Sequence, residues 1–154
     1  MNLSLITETK KRLMNSLTLS LCLLFFASIS AQNYRTQNWT FPDDNALDFS
    51  SGIPIPDTSS AAGLGGGASI SDLNGNLVFY SNGETVWTSN GSVMMGGAGL
   101  AGNSGAAQAA LIIPSTTSST RYYLFTNSAQ SLNIELNYYD VEMTLNGGNG
   151  AVFG

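Results

Sequence analysis

The chain has 154 residues, a net charge of −5 and a pI near 4.2. Five Lys and Arg against ten Asp and Glu leave no basic patch to neutralise phosphates, which excludes a nucleic-acid binder. The absence of His and the single Cys, Cys22, remove Ser-His-Asp and Cys-His catalysis, imidazole metal ligands and an intramolecular disulfide.

The first 31 residues read as an address. Lys10, Lys11 and Arg12 precede the apolar run "LTLSLCLLFFASI", residues 17–29. That run has the length of a signal-peptide core, roughly 7–15 residues, and falls short of the ~20 that span a bilayer. Ser28, Ser30 and Ala31 supply the small residues of a cleavage site, so cleavage is expected between Ala31 and Gln32. Met14 is an alternative start. A retained anchor is the rival reading. A lipoprotein anchor on Cys22 is disfavoured because Leu21 stands where a small residue belongs and the apolar run continues past the Cys. The mature chain keeps two cations, Arg35 and Arg121, against nine acids, a net charge of −7.

Only 10% of residues are charged, 43% are hydrophobic and 17 are Gly. This mixture permits a core and predicts short strands joined by turns. "NWTF" predicts a first strand, with Trp39 and Phe41 on one face, ended by Pro42-Asp43-Asp44. Leu47 and Phe49 form a second apolar pair. "SSGIPIPDTSSAAGLGGG" predicts a loop punctuated by Pro54, Pro56 and Gly65-Gly66-Gly67. Next, "DLNGNLVFYSNGETVWTSNGS" places Asn74-Gly75, Asn82-Gly83 and Asn90-Gly91 eight residues apart. Each pair fits a two-residue type I′ hairpin turn. "GASISDL", "NLVFYS", "ETVWTS" and "SVMM" then form an antiparallel meander of four strands. In "LVFY", Leu77 and Phe79 are expected on one face, Val78 and Tyr80 on the other. Both faces are apolar, so both should be covered.

A second glycine-rich connector, "MGGAGLAGNSGAA", leads to a second set: "QAALIIPS", "RYYLFTNS", the long "NIELNYYDVEMTL", the turn "NGGNG" and "AVFG". Aligning Phe79-Tyr80-Ser81-Asn82 with Leu124-Phe125-Thr126-Asn127 gives an offset of 45 residues. The fold class is therefore all-β, built from antiparallel four-stranded meanders. About 40–50 residues per unit favours two blades of an incomplete β-propeller, over residues 65–100 and 106–154, with a β-sandwich as the alternative.

Five segments, "NWTF…ALDFSSG", "GGGASISDLNGNLVFYSNGETVWTSNGSVM", "GLAGNSGAAQAALIIPS", "RYYLFTN" and "LNYYDVEMTLNGGNG", resemble a family. They are similar, in the same order, to the N-terminal propeller-like region of type IX secretion system, gliding-motility-associated, type B sorting-domain proteins of Gram-negative bacteria. The resemblance covers nearly all of residues 38–150. It implies a secreted or cell-surface protein linked to type IX secretion or gliding motility, with the secretion machinery as a partner in transit; the absence of His, of a nucleophile-base set and of a metal cluster adds the expectation of a non-enzymatic scaffold or adhesion-type protein. Surface polysaccharide or another cell-surface protein is then the expected partner. Family members are longer and end in a sorting domain that this chain lacks. The expectation is thus the N-terminal part of a larger propeller-like domain, retained in the periplasm if no sorting domain follows. No catalytic motif of the family maps onto these residues.

Candidate chemistry is sparse. Counting an EF-hand loop from Asp72 puts Leu77 and Gly83 where Gly and Glu are required, so "DLNGN" reads as a turn. Ser71 abuts Asp72, which breaks the spacing of a sialidase Asp-box. Asp43-Asp44, or Asp140 with Glu142 on one strand face, are the carboxylate pairs a glycosidase would need. Alternating surface acids on a strand explain them without any reaction, and that is the favoured reading. The glycine-rich stretches lack the Lys-Ser/Thr of a phosphate loop. Asn38-Trp39-Thr40 matches a glycosylation acceptor without meaning in a bacterial chain. Tyr122 and Tyr138 are candidates for stacking on a ligand, although alternation puts one of each Tyr-Tyr pair, and Trp87, in the core. No catalytic, metal or cofactor residue is assigned. The alternative function is a carbohydrate-active or carbohydrate-binding propeller protein. With about two blades, the faces carrying Leu77, Phe79, Ile112 and Phe125 are expected to lack neighbours, so residues 32–154 alone should associate.

Overall fold

A computed structural model describes residues 8, 10–15, 34–63, 65–128 and 135–154. The chain divides into two units, Met1–Asn33 and Tyr34–Gly154. In the first, residues 10–15 are helical. The expected signal-peptide core, Cys22 and the cleavage site at Ala31 and Gln32 lie outside the described residues. Among the described residues no helix is long and apolar enough to cross a membrane.

The second unit is all-β, with eleven strands in two sheets among the described residues. The smaller sheet has the order β1-β2-β3, formed by Asn38–Phe41, Asn45–Asp48 and Ile55–Thr58. Strand β1 turns into β2 through Asp43 and Asp44, both at φ +59°. Asn45 Nδ2 donates to the carbonyls of Pro42 and Asp43 at 3.2 and 2.9 Å, which holds that turn. Strand β3 lies inside the stretch expected to be loop. It is fully exposed, and Pro56 pairs with Leu47 of β2. A proline has no N–H to give, so it reads as a strand breaker, but on the outer edge of a sheet the missing donor costs no pairing. Trp39 and Phe41 share the solvent face of β1. The inward residue is Thr40, whose N–H donates to Ser69 Oγ at 3.3 Å.

The larger sheet contains the two expected meanders. The first is β4 (Ala68–Ser71), β5 (Leu77–Ser81), β6 (Thr85–Thr88) and β7 (Val93–Ala98). The second is β8 (Ala110–Pro114), β9 (Arg121–Asn127), β10 (Leu136–Glu142) and β11 (Ala151–Phe153). Within each, neighbours pair antiparallel. The β10 strand is shorter than the sequence suggests. Glu142 Oε1 accepts the N–H of Thr144 at 3.1 Å, which turns the chain away from the ladder.

The three Asn-Gly turns are hairpin turns, but not of type I′. None of Asn74, Asn82 and Asn90 has positive φ, whereas Gly75, Gly83 and Gly91 lie at +91°, +91° and +83°. Type I′ needs positive φ at both central residues. In the first turn Gly75 N–H donates to Asp72 O at 3.2 Å and Asp72 N–H to Asn76 O at 2.8 Å. That is a three-residue loop, Leu73-Asn74 followed by a left-handed Gly75. The third turn repeats it with Thr88 and Ser92 in place of Asp72 and Asn76. The middle turn is a two-residue loop of Gly83 and Glu84, closed by Asn82 N–H to Thr85 O at 3.3 Å, with positive φ at Gly83. The side chains decide the difference. Asp72 Oδ1 accepts the N–H groups of Asn74 and Asn76 at 2.8 and 2.9 Å, which favours the wider loop. Asn82 Oδ1 accepts those of Glu84 and Thr85 at 3.0 and 2.8 Å, which favours the tight one.

A bulge corrects the expected facing of "LVFY". Ile70 pairs with Phe79 and Ser71 with Leu77, so Val78 is the extra residue. The extra residue resets the alternation. Leu77 therefore packs with Tyr80 and Trp87, and Val78 with the core around Phe79.

The meanders join edge to edge in the order β4-β5-β6-β7-β11-β10-β9-β8, with β7 and β11 parallel. Following the directions through this order makes β4 and β8 parallel too. Their approaches are tied by Gly65 N–H to Ser104 O and Gly66 N–H to Ala106 O, both 2.8 Å, and Ala109 N–H to Gly66 O, 3.2 Å. First strand thus meets first and last meets last, and the sheet nearly closes on itself. The glycine-rich stretches do more than connect. A Cβ at Gly66 would meet the Ala107 carbonyl, and one at Gly96 the Val152 carbonyl. Both seams therefore need backbones closer than any side chain permits.

One core fills the interior. Ile70, Phe79, Val86 and Met94 come from the first meander, and Ile112, Tyr122, Leu124, Val141 and Val152 from the second. Phe79, fully buried, meets the Tyr122 ring edge-on at 5.3 Å and 81°. The expected lack of neighbours for Phe79 and Ile112 is thus overturned: each meander covers the other.

Candidate functional site

The offset of 45 between the meanders puts Phe79 with Leu124 and Tyr80 with Phe125. Phe79 and Leu124 are both fully buried in the shared core. Tyr80 and Phe125 face outward, and each pairs with an aromatic across the next ladder: Tyr80 with Trp87, and Phe125 with Tyr138. The rings stand 5.5 Å apart in the first pair and 6.2 Å in the second. These are the same position of the same architecture.

Their surroundings differ. Tyr80 and Trp87 are 2% and 8% exposed, because residues 59–62 lie over them. Ser60 N–H donates to Tyr80 Oη at 2.9 Å, Ala61 packs on the rings, and Asn82 Nδ2 donates to Ala62 O at 2.7 Å. The second pair has no such cover among the described residues, and Tyr138 is 61% exposed. Around it, β8 presents Leu111 and Ile113 outward and β10 presents Leu136, all exposed. A cavity of about 440 Å³ opens on this face between Gln108, Leu111, Ile113, Phe125, Asn127 and Leu136. Its size falls in the range of small-ligand and side-chain pockets, about 300–1,000 Å³. Further along the same face of β9 and β10, Arg121 and Asp140 are joined by two contacts of 2.9 and 3.0 Å. Arg121 also lies over the Tyr123 ring at 5.9 Å. Its hydrogen bond to Asp140 raises an already high pKa.

Of the two stacking candidates, Tyr138 is on this face. Tyr122 is not. It is 2% exposed, inside the core, with the Arg35 guanidinium 5.9 Å from its ring. Strand alternation decides this: Tyr123 and Phe125 point out, Tyr122 and Leu124 in. One Tyr of each pair is inside, and Trp87 is buried on the outer face beneath residues 59–62. Leu111, Ile113 and Leu136 were not singled out from the sequence. The signal for them was present: "ALIIP" is apolar on both faces, which predicts that its outer face meets something.

The candidate acids are engaged elsewhere. Asp140 holds Arg121. Glu142 accepts Thr144 N–H and Thr144 Oγ1–H at 3.1 and 3.0 Å, and these bonds, with the neighbouring Thr120 and Arg121, lower its pKa. Burial pushes Asp72 up, but hydrogen bonds from Asn76 and Asn74 outweigh it and leave its pKa lowered. Glu84 Oε1 accepts Ser104 N–H at 3.0 Å and ties the middle turn to the second connector. Asp43 and Asp44 form the β1–β2 turn. Among the described residues no group of three acids or Cys is placed to hold a metal.

A second cleft, about 380 Å³, lies between Trp39, Phe41, Pro42 and the backbone of residues 65–67. Trp39 Nε1 donates to Thr36 O at 2.8 Å, and its ring rests on Phe49 at 5.1 Å, so the indole is held in one orientation. Comparison of the chain with protein-family models, with curated proteins and with solved structures finds no match.

Proposed function

We propose that this chain is a non-enzymatic, exported scaffold or adhesion-type protein that holds a partner on the outer face of β8, β9 and β10. The observation that carries this reading is internal. The outward aromatic pair of the first meander is covered by the chain's own residues 59–62, and the equivalent pair of the second is bare among the described residues. An apolar face of this kind, rimmed by polar groups, marks an interaction site more often than unused surface. The carboxylates that a hydrolase would use are committed to turns and an ion pair. Export, a cell-surface or secreted location and a link to type IX secretion and gliding motility belong to the same proposal. They rest on the leader, on the resemblance of residues 38–150 and on a folded unit that starts at Tyr34, just after the expected cleavage site.

The test is a photo-crosslinking residue at position 138 in the protein expressed in its own cells. A discrete adduct that disappears with Leu136→Asp supports the reading. No adduct, together with glycan hydrolysis lost on Asp140→Asn or Glu142→Gln, refutes it.

The Trp39 cleft favours a second reading, carbohydrate binding. Its walls are an oriented indole and Phe41, and its lining carries no charged side chain among the described residues, which suits a neutral sugar. Quenching of Trp39 fluorescence by soluble oligosaccharides, abolished in Trp39→Ala, is the expected result.

A further inference from the structure

The chain has five Asn-Gly pairs, at residues 74–75, 82–83, 90–91, 146–147 and 149–150. Glycine offers no Cβ to hinder ring closure, so all five carry the same intrinsic tendency to deamidate. Two groups must be free for the reaction: the Asn side-chain carbonyl carbon and the glycine N–H. The fold leaves them free to different degrees.

Asn82 is buried, its Oδ1 accepts two backbone N–H groups and its Nδ2 donates to Ala62 O. Gly83 N–H donates to Ser81 Oγ at 3.0 Å. Asn90 Oδ1 accepts Thr88 Oγ1–H and Ser92 N–H, and Gly91 N–H donates to Thr88 O. The Asn74 side chain leans on Asp72, and Gly75 N–H donates to Asp72 O. Asn149 Nδ2 donates to Asn146 O, and Gly150, buried, donates its N–H to Leu145 O at 3.0 Å. At the fifth pair both residues are exposed, and neither the Asn146 side chain nor the Gly147 N–H has a hydrogen-bond partner among the described residues. Asn146 also sits at φ +51°, where most side chains are disfavoured.

The structure assigns Asn146–Gly147 as the site where this protein deamidates and isomerises in its folded state. A solvent base takes the Gly147 N–H proton, and the nitrogen attacks Asn146 Cγ. The new N–Cγ bond closes a succinimide as Cγ–Nδ2 breaks, and ammonia leaves with a proton from solvent. Water then opens the ring. Addition at Cγ leaves an ordinary aspartate at this position, and addition at the backbone carbonyl leaves isoaspartate. Isoaspartate adds one methylene to the backbone of the loop that delivers β11 to its seam with β7.

The experiment ages the folded, full chain in mildly alkaline buffer and maps aspartate and isoaspartate at all five pairs by peptide mass spectrometry with isoaspartyl methyl labelling. Opening one hydrogen bond of ordinary net strength slows the competing sites roughly two- to ten-fold. Asn146 is therefore expected to lead Asn74, Asn90 and Asn149 by that margin, and Asn82 by more. A parallel sample in denaturant should show the five rates converging. If Asn74, Asn90 or Asn149 matches or outruns Asn146 in the folded sample, the assignment is overturned. If Asn146 leads equally in denaturant, the fold does not select it and the inference is equally overturned.

Discussion

Replacing Phe79 by Ala tests the claim that the two meanders share one core. Phe79 is fully buried on β5 of the first meander and meets Tyr122 of β9 in the second. Truncating a buried Phe to Ala costs about 3–5 kcal/mol, the transfer loss plus the cavity left behind. The edge-on ring pair accounts for about 0.5–1.5 kcal/mol of this. A domain of this size has only about 5–15 kcal/mol in total, so Phe79→Ala removes about a fifth or more of its stability. Denaturant unfolding of the mature chain should show the midpoint fall by that fraction with the slope unchanged.

The control is Tyr138→Ala, at an exposed position of the second meander, expected to change stability by no more than about 0.5 kcal/mol. The decisive measurement is the cycle with Tyr122→Leu. Residues in contact couple by about 0.5–3 kcal/mol. Purely additive effects of Phe79→Ala and Tyr122→Leu would refute the shared core and return the meanders to separate packing units.

Other outcomes follow from the same structure. Gly96→Ala puts a Cβ against the Val152 carbonyl at φ +72°, and should cost more than about 1 kcal/mol by thermal melting, whereas Gly99→Ala, with open space around it, should cost only the strain of its φ. Asp72 and Glu142 have pKa values lowered by folding, so their contribution is present above the unfolded values near 4 and is lost as pH falls through the native ones. The melting temperature should therefore drop below about pH 4, and Asp72→Asn or Glu142→Gln should flatten that drop. The exported product should begin at Gln32, and an intact mass retaining Cys22 would mean the apolar run is an anchor. Residues 32–154 alone should self-associate through the outer face of β8–β10, and Leu136→Ser with Tyr138→Ser should convert them to a monodisperse species by size exclusion.

Local signals in the sequence located most of the strands. Alternation and Asn-Gly spacing gave both meanders, because the turn residues sit where hairpins need positive φ and the aromatic runs sit between them. Turn type was not legible, since it depends on which side chain reaches the loop: Asp72 and Thr88 widen it, Asn82 tightens it. The Val78 bulge was equally hidden. It is a property of the β4–β5 pairing, and no residue of "LVFY" announces it. Edge strand β3 was lost to Pro56, whose effect depends on which side of the sheet it faces. The seams escaped for a related reason. Glycine runs read as connectors until another backbone is known to pass within a methyl radius of them.

The candidate site follows from the same limits. Periodicity required one of each tyrosine pair to be inside but did not say which: of the two stacking candidates Tyr138 faces out and Tyr122 lies in the core, and periodicity could not say whether an outward residue is covered. That depends on the course of residues 59–62, which cross the first meander and stop short of the second. Two meanders related by strand order and by the parallel seams would offer equal outer faces if nothing else were present. Ser60, Ala61 and Ala62 break that equality. The covering segment satisfies Tyr80 Oη and Asn82 Nδ2 and buries both rings, so the same aromatic chemistry that acts as core on one side is left uncovered by the described residues on the other. A partner that docks there with small side chains and a backbone N–H for Tyr138 Oη would repeat, between molecules, what residues 59–62 do within this one.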